Sequence, residues 1–195
     1  MIEIETPHGV ARAHVERGTQ GSLVLGHGAG GGIDAPDLVA ASRAARALDW
    51  TVVRVEQPYR VAGRRAPAPA AQLDAAWIGV VAALGPPAPL VVGGRSSGAR
   101  VACRTAAAVG ADGVVCLAFP VHPPGKPERS RLDELDAVRV PVLVVQGERD
   151  PFGMPPRRRG RKVVAVAGDH GLKADLPVVE RAVRDWLRRA SAAHV

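Results

Sequence analysis

Apolar segments of strand length alternate with segments of helical periodicity along this chain of 195 residues, and this alternation constrains the fold most. The alternation occurs five times, and the later apolar segments are rich in valine on both faces, as buried parallel strands are. The pattern predicts an α/β fold with a doubly wound, mostly parallel sheet that begins with an antiparallel hairpin. The predicted strands are Ile2–Thr6, Val10–Glu16, Ser22–Leu25, Thr51–Val55, Leu90–Gly93, Gly113–Leu117, Val140–Gln146 and Lys162–Val166.

The predicted helices lie between these strands and cover both faces of the sheet. The first has Asp34 as its N-cap, Pro36 in its first turn and Asp37 at position N3, and it continues to about Leu48. The other predicted helices are Ala71–Leu84, Ser97–Val109, Leu132–Val138 and Val178–Ala193. A loop rich in arginine, proline and alanine is predicted from residue 56 to residue 70.

Length and composition indicate one domain over residues 1–195, since the chain is short for two ordinary domains and 47% of it is hydrophobic. The segment Met1–Thr6 alternates apolar and acidic residues, which predicts a strand and not a signal peptide. The longest uncharged apolar run, Ala75–Leu84, is shorter than the roughly 20 residues that span a bilayer. We therefore expect a cytoplasmic protein without a membrane partner.

The two cysteines fall inside predicted elements. Cys103 lies in a predicted helix and Cys116 in a predicted strand, and the sequence has no CxxC motif and no histidine at ligand spacing from them. Buried free thiols are therefore expected, and neither a disulfide nor a metal site is predicted.

Three predicted strands end in residues that carry chemistry. Gly94-Arg95-Ser96-Ser97-Gly98 follows the fifth strand and matches the pattern G-x-S-x-G between a strand and a helix. Asp150 follows the seventh strand and His170 follows the eighth. Because the sites of open α/β sheets lie beyond the carboxyl ends of the strands, these side chains are expected to meet.

The three residue types suit nucleophilic catalysis. Ser96 would attack a substrate carbonyl, His170 would take its proton, and Asp150 would hold the imidazole in the right tautomer. Asp169 is an alternative to Asp150, but its adjacency to His170 points the two side chains apart. Glu148 is disfavoured as the acid for similar reasons of position.

The negative oxygen that forms during such an attack needs hydrogen-bond donors already in place. The backbone N–H of Ser97 is one candidate. The loop His27-Gly28-Ala29-Gly30, called the oxyanion loop from here on, offers a second, most plainly the N–H of Ala29. Its glycines, including Gly28, let the backbone approach the substrate closely.

The same glycines also match the dinucleotide-binding pattern G-x-G-x-x-G at Gly26, Gly28 and Gly31. The match is weak because a helix should begin within the motif, whereas Asp34 delays it. Glu56 also lies further along than the acid that binds the ribose. No cofactor is therefore expected.

Taken together, these motifs resemble the α/β-hydrolase superfamily, specifically its small dienelactone-hydrolase-like and KANL3/Tex30 branch, over nearly the whole chain. The resemblance rests on His27-Gly28-Ala29-Gly30-Gly31, Glu56-Gln57-Pro58-Tyr59-Arg60, Gly63-Arg64-Arg65, Gly94-Arg95-Ser96-Ser97-Gly98, Pro120-Val121-His122-Pro123-Pro124-Gly125-Lys126, Gly147-Glu148-Arg149-Asp150-Pro151-Phe152-Gly153 and Asp169-His170.

The resemblance implies that Ser96, Asp150 and His170 form a catalytic triad, and it does not name a substrate. Dienelactone hydrolases proper have a cysteine where this chain has Ser96, so that activity is not expected. The connection from Phe119 to about Arg131 is too short for the cap domain that many such proteins carry, so we expect an open site. The predicted substrate is a small or flexible ester or thioester, and the alternative is a non-catalytic interaction module.

The net charge of +7 invites a nucleic-acid partner, but the distribution of arginines does not favour one. The basic residues divide between the predicted catalytic rim and the opposite edge of the sheet, and aromatic residues do not interleave with them. The rim group is Arg60, Arg64, Arg65, Arg95, Lys126, Arg129 and Arg131, and the far group is Arg157, Arg158, Arg159 and Arg161.

Most of this charge is interpreted as solvated arginine that replaces lysine. The rim arginines raise the hypothesis that the acyl group of the substrate carries a carboxylate or phosphate. Gly28, Arg95 and His122 are the predicted substrate-binding residues, with His122 expected to line the pocket.

Overall fold

Eight strands in one sheet carry the fold in the computed structural model, which describes residues 1–192. Their order across the sheet is β1-β2-β4-β3-β5-β6-β7-β8. The pairs β1/β2 and β2/β4 are antiparallel and all the others are parallel, which confirms the predicted sheet and its N-terminal hairpin. The strands are β1 (Ile2–Thr6), β2 (Gly9–Glu16), β3 (Ser22–Gly26), β4 (Thr51–Glu56), β5 (Leu90–Arg95), β6 (Gly113–Leu117), β7 (Val142–Gly147) and β8 (Arg161–Val166).

The helices connect these strands and lie close to their predicted positions. They are α1 (Pro36–Arg46), α2 (Pro58–Val61), α3 (Ala70–Leu84), α4 (Ser97–Thr105), α5 (Leu132–Asp136) and α6 (Leu176–Ala192). The predicted end of the last helix, Ala193, lies outside the described residues. Among the described residues, no helix is long and apolar enough to cross a membrane.

Two hydrophobic cores lie on the two faces of the sheet because successive strand residues point to opposite sides. In β5, Val91 belongs to one core and Val92 to the other, and both are fully buried. Trp77 of α3 packs in the core of Val92, whereas Leu38 of α1 and Leu187 of α6 pack in the core of Val91. Burial on both faces explains why the central strands are apolar throughout.

The predicted start of α1 is wrong. Ala35, and not Asp34, is the N-cap, and no side chain caps the helix. The Asp34 carboxylate instead accepts a hydrogen bond from Nη1 of Arg54 at 2.8 Å, a partner on β4 that local capping rules do not consider. Asp37 is the second residue of α1 and not the predicted third. It is fully buried, and its Oδ1 accepts a hydrogen bond from the N–H of Leu38 at 3.0 Å.

The predicted loop after β4 contains the short helix α2, which the sequence interpretation missed. Pro58 occupies its first turn, where the absence of an N–H costs nothing and the fixed φ suits a helix. Tyr59, also in this helix, is buried. The helix is a single turn, too short for helical periodicity to reveal.

Two further predictions hold over the described residues. The connection between β6 and α5 contains only turns and bends, so no cap covers the carboxyl edge of the sheet. Cys103 and Cys116 are buried free cysteines whose Sγ atoms lie 3.5 Å apart.

Two glycine-to-alanine substitutions test the packing in opposite directions. A Cβ atom at Gly113 would lie 2.6 Å from Cη2 of Trp186, so Gly113→Ala should lower the free energy of unfolding. The expected loss is about 1 to 3 kcal/mol, as for other overpacked cores. Gly79 lies in α3 and its Cβ would meet nothing closer than 3.8 Å, so Gly79→Ala should raise stability by about 0.5–1 kcal/mol. Urea denaturation measures both, and equal effects would contradict the packing described.

Candidate active site

The carboxyl ends of β5, β7 and β8 bring the three predicted triad residues into contact. Nε2 of His170 lies 2.9 Å from Oγ of Ser96, and Nδ1 of His170 lies 2.8 Å from Oδ2 of Asp150. An ionised carboxylate only accepts hydrogen bonds, so Nδ1 carries the proton and Nε2 is free to accept from the serine hydroxyl. This is the tautomer that a general base for Ser96 requires.

Ser96 lies on a tight turn between β5 and α4. Its backbone has φ 53° and ψ −107°, a conformation that residues with a side chain rarely adopt. The turn is possible because Gly94 and Gly98 both lie against the carbonyl oxygen of Gly26, with which a Cβ atom at either position would clash. The N–H of Ser96 donates to the carbonyl of Leu117 at 2.9 Å and ties the turn to β6.

Asp150 is held by several donors. Its side chain is 1% exposed, and besides His170 it accepts hydrogen bonds from Nε2 of Gln146 at 2.7 Å and from the N–H of Phe152 at 2.9 Å. The two alternatives lie elsewhere: Asp169 is exposed and accepts from the N–H of Gly171, and Glu148 is exposed. The geometry therefore favours Asp150 as the partner of His170.

Gln146 and the ring of Phe152 were missed by the sequence interpretation. Gln146 is fully buried in β7, and its Nε2 also lies within hydrogen-bonding distance of the carbonyl oxygens of Phe119 and Gly153. The ring of Phe152 packs against the imidazole of His170 with 4.3 Å between ring centroids. A glutamine in an otherwise apolar strand was the available signal.

The oxyanion loop is held by the side chain of its own first residue. Nδ1 of His27 lies 2.8 Å from the carbonyl oxygen of Gly28, and Nε2 accepts a hydrogen bond from the N–H of Gln57 at 3.1 Å. The second contact leaves the proton on Nδ1, which therefore donates to Gly28. Because a peptide unit is planar, fixing the Gly28 oxygen also fixes the direction of the N–H of Ala29.

Tyr59 supports the loop from the other side. Its hydroxyl donates to the carbonyl of Ala29 at 3.2 Å, and its ring lies 5.7 Å from that of His27. Burial raises the pKa of Tyr59, so the hydroxyl keeps its proton. The N–H of Ala29 has no hydrogen bond among the described residues, and Ser97 is the first residue of α4, where the N–H has no intrahelical partner. Both predicted oxyanion donors are therefore available.

Arg95, predicted to bind substrate, is engaged inside the protein. Its Nε forms an ion pair with the fully buried Asp37 at 3.0 Å, and its Nη2 donates to the main-chain carbonyl of His170 at 3.1 Å. A Cβ atom at Gly28 would lie 3.0 Å from Nη1 of Arg95 and 3.6 Å from Cβ of Ser96. The guanidinium of Arg95 thus contacts helix α1 and the loop that carries His170, and it lies next to Gly28 of the oxyanion loop.

Burial raises the pKa of Asp37, and the charge of Arg95 opposes this rise. The sequence interpretation assigned Asp37 to the start of the helix and so overlooked it. An acidic residue on the buried side of an alanine-rich helix was the signal.

His122, the third predicted substrate-binding residue, lies against the loop that carries Asp150. Its Nδ1 is 2.9 Å from the carbonyl oxygen of Pro123, and its N–H donates to the carbonyl of Phe152 at 3.3 Å. Among the described residues it makes no hydrogen bond to Ser96 or His170.

The basic residues divide as expected, with one correction. Lys126, Arg129 and Arg131 line one depression in the connection that follows β6. In the far group, Arg158 and Arg161 are not merely solvated, because both pair with Asp136 and Arg161 is buried. Among the described residues, no cluster of three or more histidine, cysteine or acidic side chains could hold a metal ion.

The ion pair between Arg95 and Asp37 should be strongly coupled. Removing either partner leaves the other charge without compensation in a buried site, so Asp37→Leu and Arg95→Met should each cost about 3 kcal/mol of unfolding free energy. The double variant should cost less than the sum by at least about 1 kcal/mol, as urea denaturation of all four proteins would show. Additive losses would mean that the pair does not contribute as a unit.

His27 should make stability depend on pH. Burial lowers the pKa of His27 below its usual value of 6.5. Between the two values the unfolded chain holds more protons than the folded chain, so the free energy of unfolding should fall as pH is lowered from 6.5 through the folded pKa. His27→Gln should weaken this dependence, whereas His8→Gln, at an exposed turn, should not. Equal acid sensitivity of the wild type and His27→Gln in denaturant titrations would contradict the assignment.

Comparisons with known proteins agree with this architecture. A family model described as an alpha/beta hydrolase domain matches residues 19–175. The comparison with curated proteins found no match.

Solved structures share the fold at low sequence identity. XC6422 from Xanthomonas campestris, described as an α/β serine hydrolase without lid, is 23% identical, with a TM-score of 0.78 over 96% of this chain and 93% of that one. Est1E from Butyrivibrio proteoclasticus, solved with ferulic acid bound, is 16% identical, with a TM-score of 0.80 over 98% of this chain and 100% of that one.

A dienelactone hydrolase from Anabaena variabilis is 14% identical, with a TM-score of 0.76 over 96% of this chain and 95% of that one. Membership of the KANL3/Tex30 branch stays a prediction. The matched family model covers most of the sheet and all three predicted triad residues, so the chain belongs to the α/β hydrolase domain family.

Proposed function

We propose that this protein is a serine hydrolase that cleaves ester or thioester bonds of a small acyl substrate through an acyl-enzyme on Ser96. The observation that carries the proposal is the continuous hydrogen-bond chain from Ser96 through His170 to Asp150, with distances of 2.9 and 2.8 Å. Each member lies at the end of a different strand of a packed sheet, which holds the arrangement rigid.

In the acylation step, Oγ of Ser96 forms a bond to the carbonyl carbon of the substrate while its proton moves to Nε2 of His170. The carbonyl oxygen becomes an oxyanion, which accepts hydrogen bonds from the N–H groups of Ala29 and Ser97. The intermediate then expels the alcohol or thiol, which takes the proton from His170. Asp150 stabilises the imidazolium while it exists and stays ionised throughout.

In the deacylation step, water attacks the ester carbon of the acyl-enzyme and gives its proton to the same Nε2 of His170. The second tetrahedral intermediate uses the same two N–H donors. Its collapse releases the carboxylic acid and returns the proton to Oγ of Ser96. The cycle consumes one water molecule and needs neither a metal nor a cofactor.

The open carboxyl edge suits a small or flexible acyl group. No cap lies over the described site, so the protein offers little surface to surround a large ligand. Gly28 would contact the substrate, since it lies next to Ser96. Arg95 would act through other residues, since its guanidinium is already bound to Asp37 and to the His170 carbonyl. We assign Arg95 as a positioning residue for the loop that carries His170.

Hydrolysis of short-chain p-nitrophenyl esters and acyl thioesters tests the proposal with a matched pair of aspartates. Asp150→Asn should lower kcat by about 10⁴-fold because the neutral amide, which also carries an N–H donor, no longer fixes the imidazole tautomer or stabilises the imidazolium. Asp169→Asn changes the neighbour of His170 in sequence and should alter kcat by less than about threefold, since its carboxylate serves only a local turn.

Ser96→Ala supplies the background of each assay. Equal rates for the wild type and Ser96→Ala would exclude the proposed enzymatic function, and the alternative of a non-catalytic interaction module would remain. Equal losses in Asp150→Asn and Asp169→Asn would show that the acid has been wrongly assigned.

A further inference from the structure

Phe152 contacts both the acid and the base of the proposed triad. Its backbone N–H donates to Oδ1 of Asp150 at 2.9 Å, whereas the Asp150 oxygen that faces His170 is Oδ2. The side chain of Phe152 packs against the imidazole of His170, with 4.3 Å between the ring centroids. The mechanism proposed above does not use this ring, although it lies in direct contact with the general base.

The main chain holds the Phe152 ring in this position. The carbonyl of Phe152 accepts a hydrogen bond from the N–H of His122 at 3.3 Å, so both polar groups of its backbone are bonded. The N–H of Gly153 donates to the carbonyl of Asp150 at 3.1 Å, and the Gly153 carbonyl accepts from Nε2 of Gln146 at 2.9 Å. The ring therefore projects from a short segment whose backbone is fixed on both sides.

The two rings contact each other closely and not through their rims alone. Carbon atoms in contact are about 3.5–4.0 Å apart, so two rings side by side in one plane would have more widely separated centroids. The rings of Phe152 and His170 are also inclined by 46°. The face of a phenyl ring is negative, and a cation within about 6 Å of the ring centroid is attracted to it.

His170 becomes a cation only during the proposed reaction. Its Nδ1 carries the single proton of the neutral ring, and the imidazolium forms when the hydroxyl of Ser96 transfers its proton to Nε2. The His170 side chain is 17% exposed, so water screens the new charge only in part. An interaction that strengthens while the charge forms lowers the barrier without tightening the binding of substrate.

We propose that Phe152 is a positioning residue whose π-electron face stabilises the imidazolium of His170. The carboxylate of Asp150 stabilises this cation at Nδ1, and the phenyl ring stabilises it from the side. The ring exchanges no proton and no electrons, since the proton passes from Oγ of Ser96 to Nε2 and then to the leaving group. This role rests on the serine hydrolase function proposed above, because it concerns the same proton transfer.

The chain contains two phenylalanines, which gives the test a matched control. The residue 3,4,5-trifluorophenylalanine keeps the ring close to its natural shape and removes most of the negative charge from its face. Nonsense suppression places it at position 152 in one protein and at position 119 in another. Phe119 is fully buried in a hydrophobic core, and among the described residues Phe152 is the ring that stacks with His170.

With a short-chain p-nitrophenyl ester, the trifluorinated ring at position 152 should lower kcat about fivefold and leave KM unchanged. The same ring at position 119 should change kcat by less than about twofold. Phe152→Leu keeps apolar bulk without an aromatic face and should lower kcat about tenfold. Thermal unfolding of each protein confirms that it folds.

A second measurement does not require turnover. In the Ser96→Ala background, ¹⁵N NMR of the imidazole gives the fraction of His170 that is imidazolium at one fixed pH, with its signals assigned from His170→Gln. The trifluorinated ring should lower this fraction at position 152 and leave it unchanged at position 119. A wild type without Ser96-dependent hydrolysis would refute the proposed function, and this spectrum would still decide the role of the ring.

Equal kcat values and equal imidazolium fractions for the natural and the trifluorinated ring at position 152 would overturn the proposal. Such a result would show that Phe152 only packs against His170, whatever Phe152→Leu loses. Equal losses at positions 152 and 119 would also overturn it, because the effect would then not depend on contact with the imidazole. A raised KM with an unchanged kcat would assign the ring to substrate binding instead.

Discussion

The proposed catalytic edge depends on the close approach of the backbones of β3, β5 and α4 at three glycines. Gly94 and Gly98 both lie against the carbonyl of Gly26, and neither position has room for a Cβ atom. This contact lets the chain reverse sharply at Ser96 and start α4 immediately afterwards. It also places the oxyanion loop, which leaves β3 directly after Gly26, beside Ser96. This close contact between glycine backbones therefore positions both Ser96 and the N–H groups that would stabilise its proposed intermediate.

Several buried polar contacts fix the positions of these loops relative to one another. Arg95 links the buried Asp37 to the main chain of His170, and Gln146 donates to Asp150. His27 plays the same part for the oxyanion loop, through its two ring nitrogens. Because such groups are costly to bury without partners, each contact restricts its loop to a narrow range of positions. The charge of Arg95 thus helps to fix the geometry of the site, and its contact with a substrate stays a prediction.

Much of the fold was predictable because its signals are local and repeated. Alternating residues around a turn identified the N-terminal hairpin, and short apolar segments, most of them rich in valine, identified the other strands. Residues at the ends of three strands identified Ser96, Asp150 and His170 as neighbours. The contacts that escaped prediction join elements distant in sequence. Asp34 does not cap α1 because its carboxylate binds Arg54 of β4. Asp37 of α1 pairs with Arg95 at the end of β5. Helix α2 was not predicted because a single helical turn shows no periodicity. A cavity beside Tyr59, which this helix lines, was therefore not predicted either.

The central claim is that Ser96 is a nucleophile activated by His170. Treatment of the native protein with a fluorophosphonate, followed by mass spectrometry of the peptides, tests this most directly because the reagent marks only an activated serine. The account predicts one adduct, located on Ser96 and lost in His170→Ala. An adduct on Ser97 or elsewhere, or undiminished labelling in His170→Ala, would contradict it, and so would the absence of any adduct on the wild type.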